Sequence, residues 1–321
     1  MTVSNVVNGR FGSMTKETRT AVELAIRELR YRPHASGRSL KLSTRFAIGM
    51  VVVDASPTFL ADPFITHLVA GLSNYLNQRD YGLVLQGISA AGLHKAALMK
   101  RHETDAICLF LSGPPVLRRR LIARFRTLNQ PIIVFQEPVP AGPLLHSIRQ
   151  DDFGGAKALA ARMVARGADK IIFLAPEVSW PAIEQRLAGA QSAMEAGGKV
   201  ERIRVVTCGN GGFPDTQSAL AHDVVQNGWP SGIMGCNDQM GIAALKWATG
   251  RGMRVPEDVL VTGFNAFEVW QYSDPVLTTV FSPAYDMGSK AGEMVLDILR
   301  GDAPLEQECI FPVSVRFGGS A

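Results

Sequence analysis

The chain has 321 residues, 46% of them apolar and 19% charged, which is enough for about two domains with a buried core and excludes a disordered or low-complexity protein. Its net charge of +4 is unevenly placed: residues 1–45 hold nine basic and three acidic side chains, and the other 276 hold 24 and 26. A basic end on a near-neutral body implies a polyanionic partner, nucleic acid or anionic lipid, with a solvated basic helix as the plain alternative.

In chain order, Thr2–Asn8 is a short helical stretch ended by Asn8-Gly9. Thr15 caps a second helix, with Glu17 in its first turn and Val22, Ile26 and Leu29 as its apolar stripe; Arg32-Pro33 ends it, and His34–Lys41 links onward. Strands are then predicted at Phe46–Val53, Gly82–Gln86, Ala106–Leu111 and Pro131–Phe135, alternating with helices at Phe64–Gln78, Leu93–Arg101 and Val116–Leu128. A second series begins near residue 148, with helices at Asp152–Ala165, Ile183–Ala196, Ser218–Asn227 and Met240–Arg251. Its strands fall at Lys170–Leu174, Val200–Val206, Gly232–Cys236 and Val259–Phe264, and a strand-like Cys309–Val315 lies in the tail. Apolar strands between amphipathic helices indicate parallel β-α units covered on both faces, so the fold class is α/β with two Rossmann-like lobes in succession. Such folds bind ligands at the carboxyl ends of their strands, here facing a cleft between the lobes.

No apolar run reaches the 18 residues of a membrane span, and MTVSNVVNGR lacks a signal-peptide layout, so a cytoplasmic location is expected. The four cysteines, Cys108, Cys208, Cys236 and Cys309, form no C-x-x-C and read as reduced, mostly core thiols. The six histidines have no metal-ligand spacing, and there is no phosphate loop or nucleophile elbow, so no metal, cofactor or catalytic residue is expected. The adjacent pairs Asp151-Asp152 and Glu257-Asp258 read as caps, and the basic run Arg118-Arg119-Arg120 through Arg126 as a solvated helix face rather than a second polyanion site.

The run T-V-S-N-V-V-N-G at 2–9, with T-x-E-T-R at 15–19, E-L-R-Y-R-P at 28–33 and R-S-L at 38–40, resembles the start of LacI/GalR-type transcriptional repressors. The likeness continues through Asp151-Asp152 with Gly154-Gly155-Ala156, through Arg186 with Gly189, and through Cys236-Asn237-Asp238-Gln239-Met240. Val255-Pro256-Glu257-Asp258-Val259, Gly263-Phe264, Pro275–Val280 and Met287-Gly288 extend it over nearly the whole chain. Each motif alone is weak; together and in order they are strong.

That resemblance implies a periplasmic-binding-protein-like fold of type I with an incomplete N-terminal all-α helix-turn-helix. It implies a partial DNA-binding domain over 1–31, a hinge over 32–45, a first lobe over 46–147 plus about 282–311, and a second lobe over 148–281 plus about 312–321. Thr2–Asn8 would be most of the recognition helix, with Asn5 reading a base and Thr2, Ser4 and Arg10 near phosphates; Leu40 would be the hinge's minor-groove wedge. The family's first helix has no counterpart here, so a start placed too far downstream or a shortened chain is expected, with poor operator binding.

By the same register Arg186, Asn237, Asn265 and Gln136 would contact an effector, with Phe213 as a stacking aromatic and Asp54, Phe64 and Trp180 at the rim. The family usually has Asp at position 265 and often at position 136; the amides here leave Arg186 in a cleft poorer in carboxylates, which suggests a sugar acid over a neutral sugar. The expected protein is a ligand-responsive regulator that binds operator DNA as a homodimer, with no membrane partner. The rival is a transporter's solute-binding protein of the same fold, which would need a signal peptide.

Overall fold

The computed structural model describes residues 2–7, 9–12, 14–31, 44–54, 56–198, 203–302 and 306–321. The chain divides into two compact units, Met1–Phe46 and Ala47–Ala321. In the first, α1 (Thr2–Val7) is followed by α2 (Lys16–Glu28). The Thr15 hydroxyl accepts from Thr18 N–H at 3.3 Å, which caps α2 as the sequence predicts. Gly9 at φ +69 sends its N–H to Val6 O at 3.1 Å and ends α1. Val6 is buried while Val3 stays exposed, and no residue of α2 is fully buried. The hinge residues 32–43, Leu40 among them, lie outside the described residues.

The second unit holds two parallel sheets. The first has the order β11-β5-β4-β3-β1-β2, built from β1 (Ala47–Val53), β2 (Gly82–Ile88), β3 (Ala106–Leu111), β4 (Ile132–Phe135), β5 (Leu145–Gln150) and β11 (Glu308–Phe311). The second has the order β7-β6-β8-β9, from β6 (Ile171–Ala175), β7 (Ile203–Thr207), β8 (Gly232–Gly235) and β9 (Leu260–Thr262). A short antiparallel pair, β10 (Thr279–Phe281) with β12 (Ser314–Arg316), adjoins it through bridges to Thr262 and Asn265. The inner strands are apolar on both faces, as helices on both sides require.

Two helices, α3 (Pro63–Asn77) and α9 (Ala284–Arg300), cover one face of the first sheet, and α4 (Pro115–Arg126) the other. Around the second sheet lie α5 (Asp152–Ala165), α6 (Pro181–Ala196), α7 (Phe213–Asn227) and α8 (Asp238–Thr249). The α3–α9 contact depends on glycine: a Cβ at Gly288 would sit 2.1 Å from Leu68 O, and one at Gly71 even closer to Tyr285 O.

The chain crosses between the lobes three times, at Gln150–Asp152, Phe281–Ala284 and Phe311–Ser314. Three expectations change accordingly. The polar segment from Leu145 to Gln150 is a strand of the first sheet, which carries that lobe past residue 148. The tail strand breaks at Pro312 into β11 and β12, which belong to different sheets, because proline cannot donate to the ladder. Leu93–Arg101 is two 3₁₀ turns, Ala90–Lys95 and Ala97–Met99, with only Leu93 and Leu98 of these turns buried.

Candidate functional site

The carboxyl ends of the two sheets face each other across a cleft lined by Asp62, Phe64, Phe110, Gln136, Trp180, Ala182, Arg186, Asn237 and Asn265. Its free volume is about 20 Å³, room for one water molecule. Arg186 is its electrostatic centre. The sequence places it one turn into α6, on the helix face that packs inward, and its side chain is 3% exposed. Its Nε donates to Asp152 Oδ1 at 2.8 Å, Nη1 to the Cys236 carbonyl, and Nη2 to Asn265 Oδ1 at 3.1 Å. The Phe264 ring lies 3.7 Å from the guanidinium carbon, a cation–π contact in a dry setting.

Asp152 is 3% exposed and opens α5 directly after the first crossover. Besides Arg186 it accepts from Gln150 Nε2 at 2.8 Å and Gln136 Nε2 at 3.2 Å. Gln150 in turn accepts from Ser282 Oγ at 2.6 Å, on the second crossover. The network therefore runs from cleft to crossovers, with donors on both Asp152 oxygens. Burial raises the Asp152 carboxyl pKa, and the Arg186 charge and the Gln150 amide offset only part of that rise.

The two cleft amides sit at strained backbone positions, Gln136 at φ +63 and Asn265 at φ +113. Outliers of this kind persist where the surroundings over-determine them. Here Gln136 N–H donates to Ile148 O and Asn265 N–H to Val280 O. Asn237 caps α8, its Oδ1 accepting from Met240 N–H at 3.0 Å, while still lining the cleft.

Six of the eight expected effector residues, Phe64, Gln136, Trp180, Arg186, Asn237 and Asn265, are brought together. Phe213 and Asp54 are not among the lining residues. Phe213 starts α7 and is 44% exposed, and Asp54 is occupied by the Ser112 hydroxyl and the Ser56 N–H. The expectation that Arg186 faces a cleft poor in carboxylates changes, because Asp152 pairs with it at 2.8 Å. Asp152 itself escaped the sequence reading, which took the Asp151-Asp152 pair as caps; only Asp151 is one, accepting from Gly154 N–H at 2.8 Å.

Asp62, Phe110 and Ala182 were also missed. Asp62-Pro63 was legible as a helix start: the Asp62 carboxylate accepts from Phe64 N–H at 2.8 Å with proline at the first helical position. Burial raises the Asp62 pKa. Beside the cleft Asp238 is 4% exposed, accepts from Thr279 Oγ1, and is pushed up to about 6 by burial.

In the N-terminal unit Thr2 and Arg10 are exposed and Asn5 is half-buried on α1, where Ser4 also lies. Among the described residues no helix is long and apolar enough to cross a membrane.

Residues 160–321 match the periplasmic binding protein-like domain. The chain belongs to this family, in its LacI/GalR branch. It is 26% identical over 311 residues to the HTH-type transcriptional regulator CelR of Thermobifida fusca, covering 94% of this chain and 88% of that protein. It is 26% identical over 317 residues to the ribose operon repressor of Bacillus subtilis (strain 168), covering 98% and 92%. Among solved structures, the lac repressor dimer bound to operator and the anti-inducer ONPF superposes with a TM-score of 0.84 at 21% identity, covering 99% of this chain and 94% of that one. The CelR–cellobiose complex gives 0.74 at 23%, covering 99% and 94%. These likenesses carry the two-lobed fold with its inter-lobe cleft, as the family's sequence pattern implied.

Proposed function

We propose that the chain is a ligand-responsive transcriptional regulator that binds operator DNA as a homodimer through its N-terminal helical unit and a neutral sugar in the inter-lobe cleft. The observation that carries the ligand class is the Asp152–Arg186 pair: the guanidinium lining the cleft is paired within the protein, and the surrounding groups are amides and carboxylates suited to hydroxyls. Gln136, Asn237, Asn265 and Arg186 read the ligand, and Phe64 and Trp180 supply apolar walls. Relatives named for cellobiose and ribose support the same ligand class.

Such a ligand acts by preferring one arrangement of the lobes. The Arg186–Asp152–Gln150–Ser282 chain ends on two crossovers, so groups that touch ligand are bonded to the segments about which the lobes move. Thr2, Ser4, Asn5, Arg10 and Leu40 carry the DNA contacts in this reading. The protein works in the cytoplasm and catalyses no reaction. Selection of genomic DNA fragments by the purified protein, followed by elution with neutral sugars, tests it. Weak enrichment, at low salt, of an inverted-repeat fragment released by one sugar is expected; no enrichment even at low salt, or release unaffected by any sugar, contradicts it.

A further inference from the structure

The basic run on α4 is not the uniform solvated face that the sequence suggests. Arg119, Arg120, Arg124 and Arg126 are exposed, but Arg118 is 2% exposed. Its Nε donates to Glu137 Oε2 at 2.6 Å, two residues after β4, and its Nη1 to the Gly113 carbonyl in the β3–α4 loop. Both partners belong to the first lobe and lock the side chain in place. The outer edge of the guanidinium points across the cleft, where Nη1 and Nη2 meet Glu184 Oε1 and Oε2, each at 3.0 Å. Glu184 lies in the first turn of α6 in the second lobe and is half-exposed, with Ser179 Oγ on Oε1 at 3.3 Å.

A second cross-lobe bond runs beside this pair, from Gly113 N–H to Ser179 O at 2.7 Å. Gly113 has φ +104, a left-handed backbone conformation that favours glycine. None of these residues belongs to a crossover. They adjoin the cleft wall made by Trp180 and Ala182, and the cleft they help close has room for a water but not for a sugar.

We propose that Arg118 and Glu184 form a clasp that holds the two lobes shut over the cleft and sets how often it opens. A fork-to-carboxylate contact is directional, and Arg118 is already immobilised by Glu137 and Gly113, so closing the clasp orders only Glu184. Ligand access breaks the pair, which makes the clasp a brake on the site described above; this role rests on that site being the effector site. Opening leaves Arg118 with Glu137, so no bare charge is stranded in the first lobe and the two states stay close in energy.

The test is the inter-lobe distance in the full chain without DNA, measured first without sugar and then with neutral sugars added. Spin labels at Val116→Cys on α4 and Val225→Cys on α7, both exposed, in a Cys309→Ser background diluted with unlabelled protein, report it by pulsed electron resonance. Glu184→Gln is expected to raise the long-distance population roughly fivefold. Glu184→Asp, which keeps the charge and withdraws the carboxylate, moves it the same way and serves if the glutamine variant does not fold. Asp258→Asn, which cuts the Arg254–Asp258 pair within one lobe, leaves the distances unchanged. Distances indifferent to both substitutions at position 184 overturn the clasp. If the distances respond but no sugar alters them, the clasp stands and the effector reading fails.

Discussion

Substituting Asp152→Asn removes the counter-charge of Arg186 while keeping the side chain's shape. Arg186 keeps the Cys236 carbonyl, the Asn265 oxygen and the Phe264 ring, but its charge is left unpaired at 3% exposure. The new amide also turns an N–H toward Gln136 or Gln150, both of which donate to Asp152. Breaking a buried pair in this way costs about 3–5 kcal/mol, against a total stability of about 5–15 kcal/mol. At about 2–4 °C per kcal/mol for a unit of this size, the melting temperature falls by on the order of 10 °C.

Replacing both partners, Asp152→Leu with Arg186→Met, restores much of that loss, because the penalty lies in the unpaired charge. The unpaired guanidinium also changes ligand preference. Gluconate at a hundredfold excess over its Kd stabilises the Asn variant by about 2.7 kcal/mol and leaves the parent unmoved. Urea denaturation and thermal shift with gluconate and glucose read both effects. An Asn variant within about 1 kcal/mol of the parent and blind to gluconate would refute the claim that Asp152 neutralises the cleft.

Other outcomes are equally specific. Asp238 has a folded pKa of about 6 against an ordinary 3.8, so the folded state holds this proton more tightly than the unfolded chain. Its contribution is full below about pH 4 and is lost as the pH rises through about 6, about 3 kcal/mol in all; Asp238→Asn should flatten that part of the stability–pH curve, and an unchanged slope counts against it. Gly288→Ala drives a Cβ into the Leu68 carbonyl and should cost about 3 kcal/mol in denaturant unfolding, whereas a cost under about 0.5 kcal/mol would mean α3 and α9 are not so closely held. Phe213→Ala should leave sugar affinity within about twofold, since the ring stands outside the cleft lining; a loss of about tenfold or more would return it to the site.

Where apolar periodicity carried the signal, the fold was legible before the structure. The runs at Ala47–Val53, Ala106–Leu111 and Ile132–Phe135 are buried strands, and Thr15 caps α2. What escaped was polar and buried. The segment LHSIRQ does not look like an inner strand, yet β5 lies between β4 and β11 with His146, Ser147 and Gln150 buried. Its polar groups are satisfied by contacts distant in sequence, such as Ser147 Oγ to Glu137 O and Ser282 Oγ to Gln150. Asp152 and Arg118 were hidden for the same reason: a charge looks solvated until its partner, 34 residues away for Asp152 and 19 and 66 for Arg118, is folded onto it. The family register, not periodicity, placed Gln136, Arg186 and Asn265 in one cleft.

In the proposed reading the cleft binds a neutral, hydroxyl-rich effector through Gln136, Arg186 and Asn265. Titration calorimetry of neutral sugars and the matching sugar acids, on the parent chain and on Asn265→Ala, tests it most directly. One neutral sugar bound per chain is expected, with no binding of its acid and affinity lower by about tenfold in the variant, the worth of one hydrogen bond to a charge-linked amide. Binding confined to acids, or neutral binding indifferent to position 265, would contradict it.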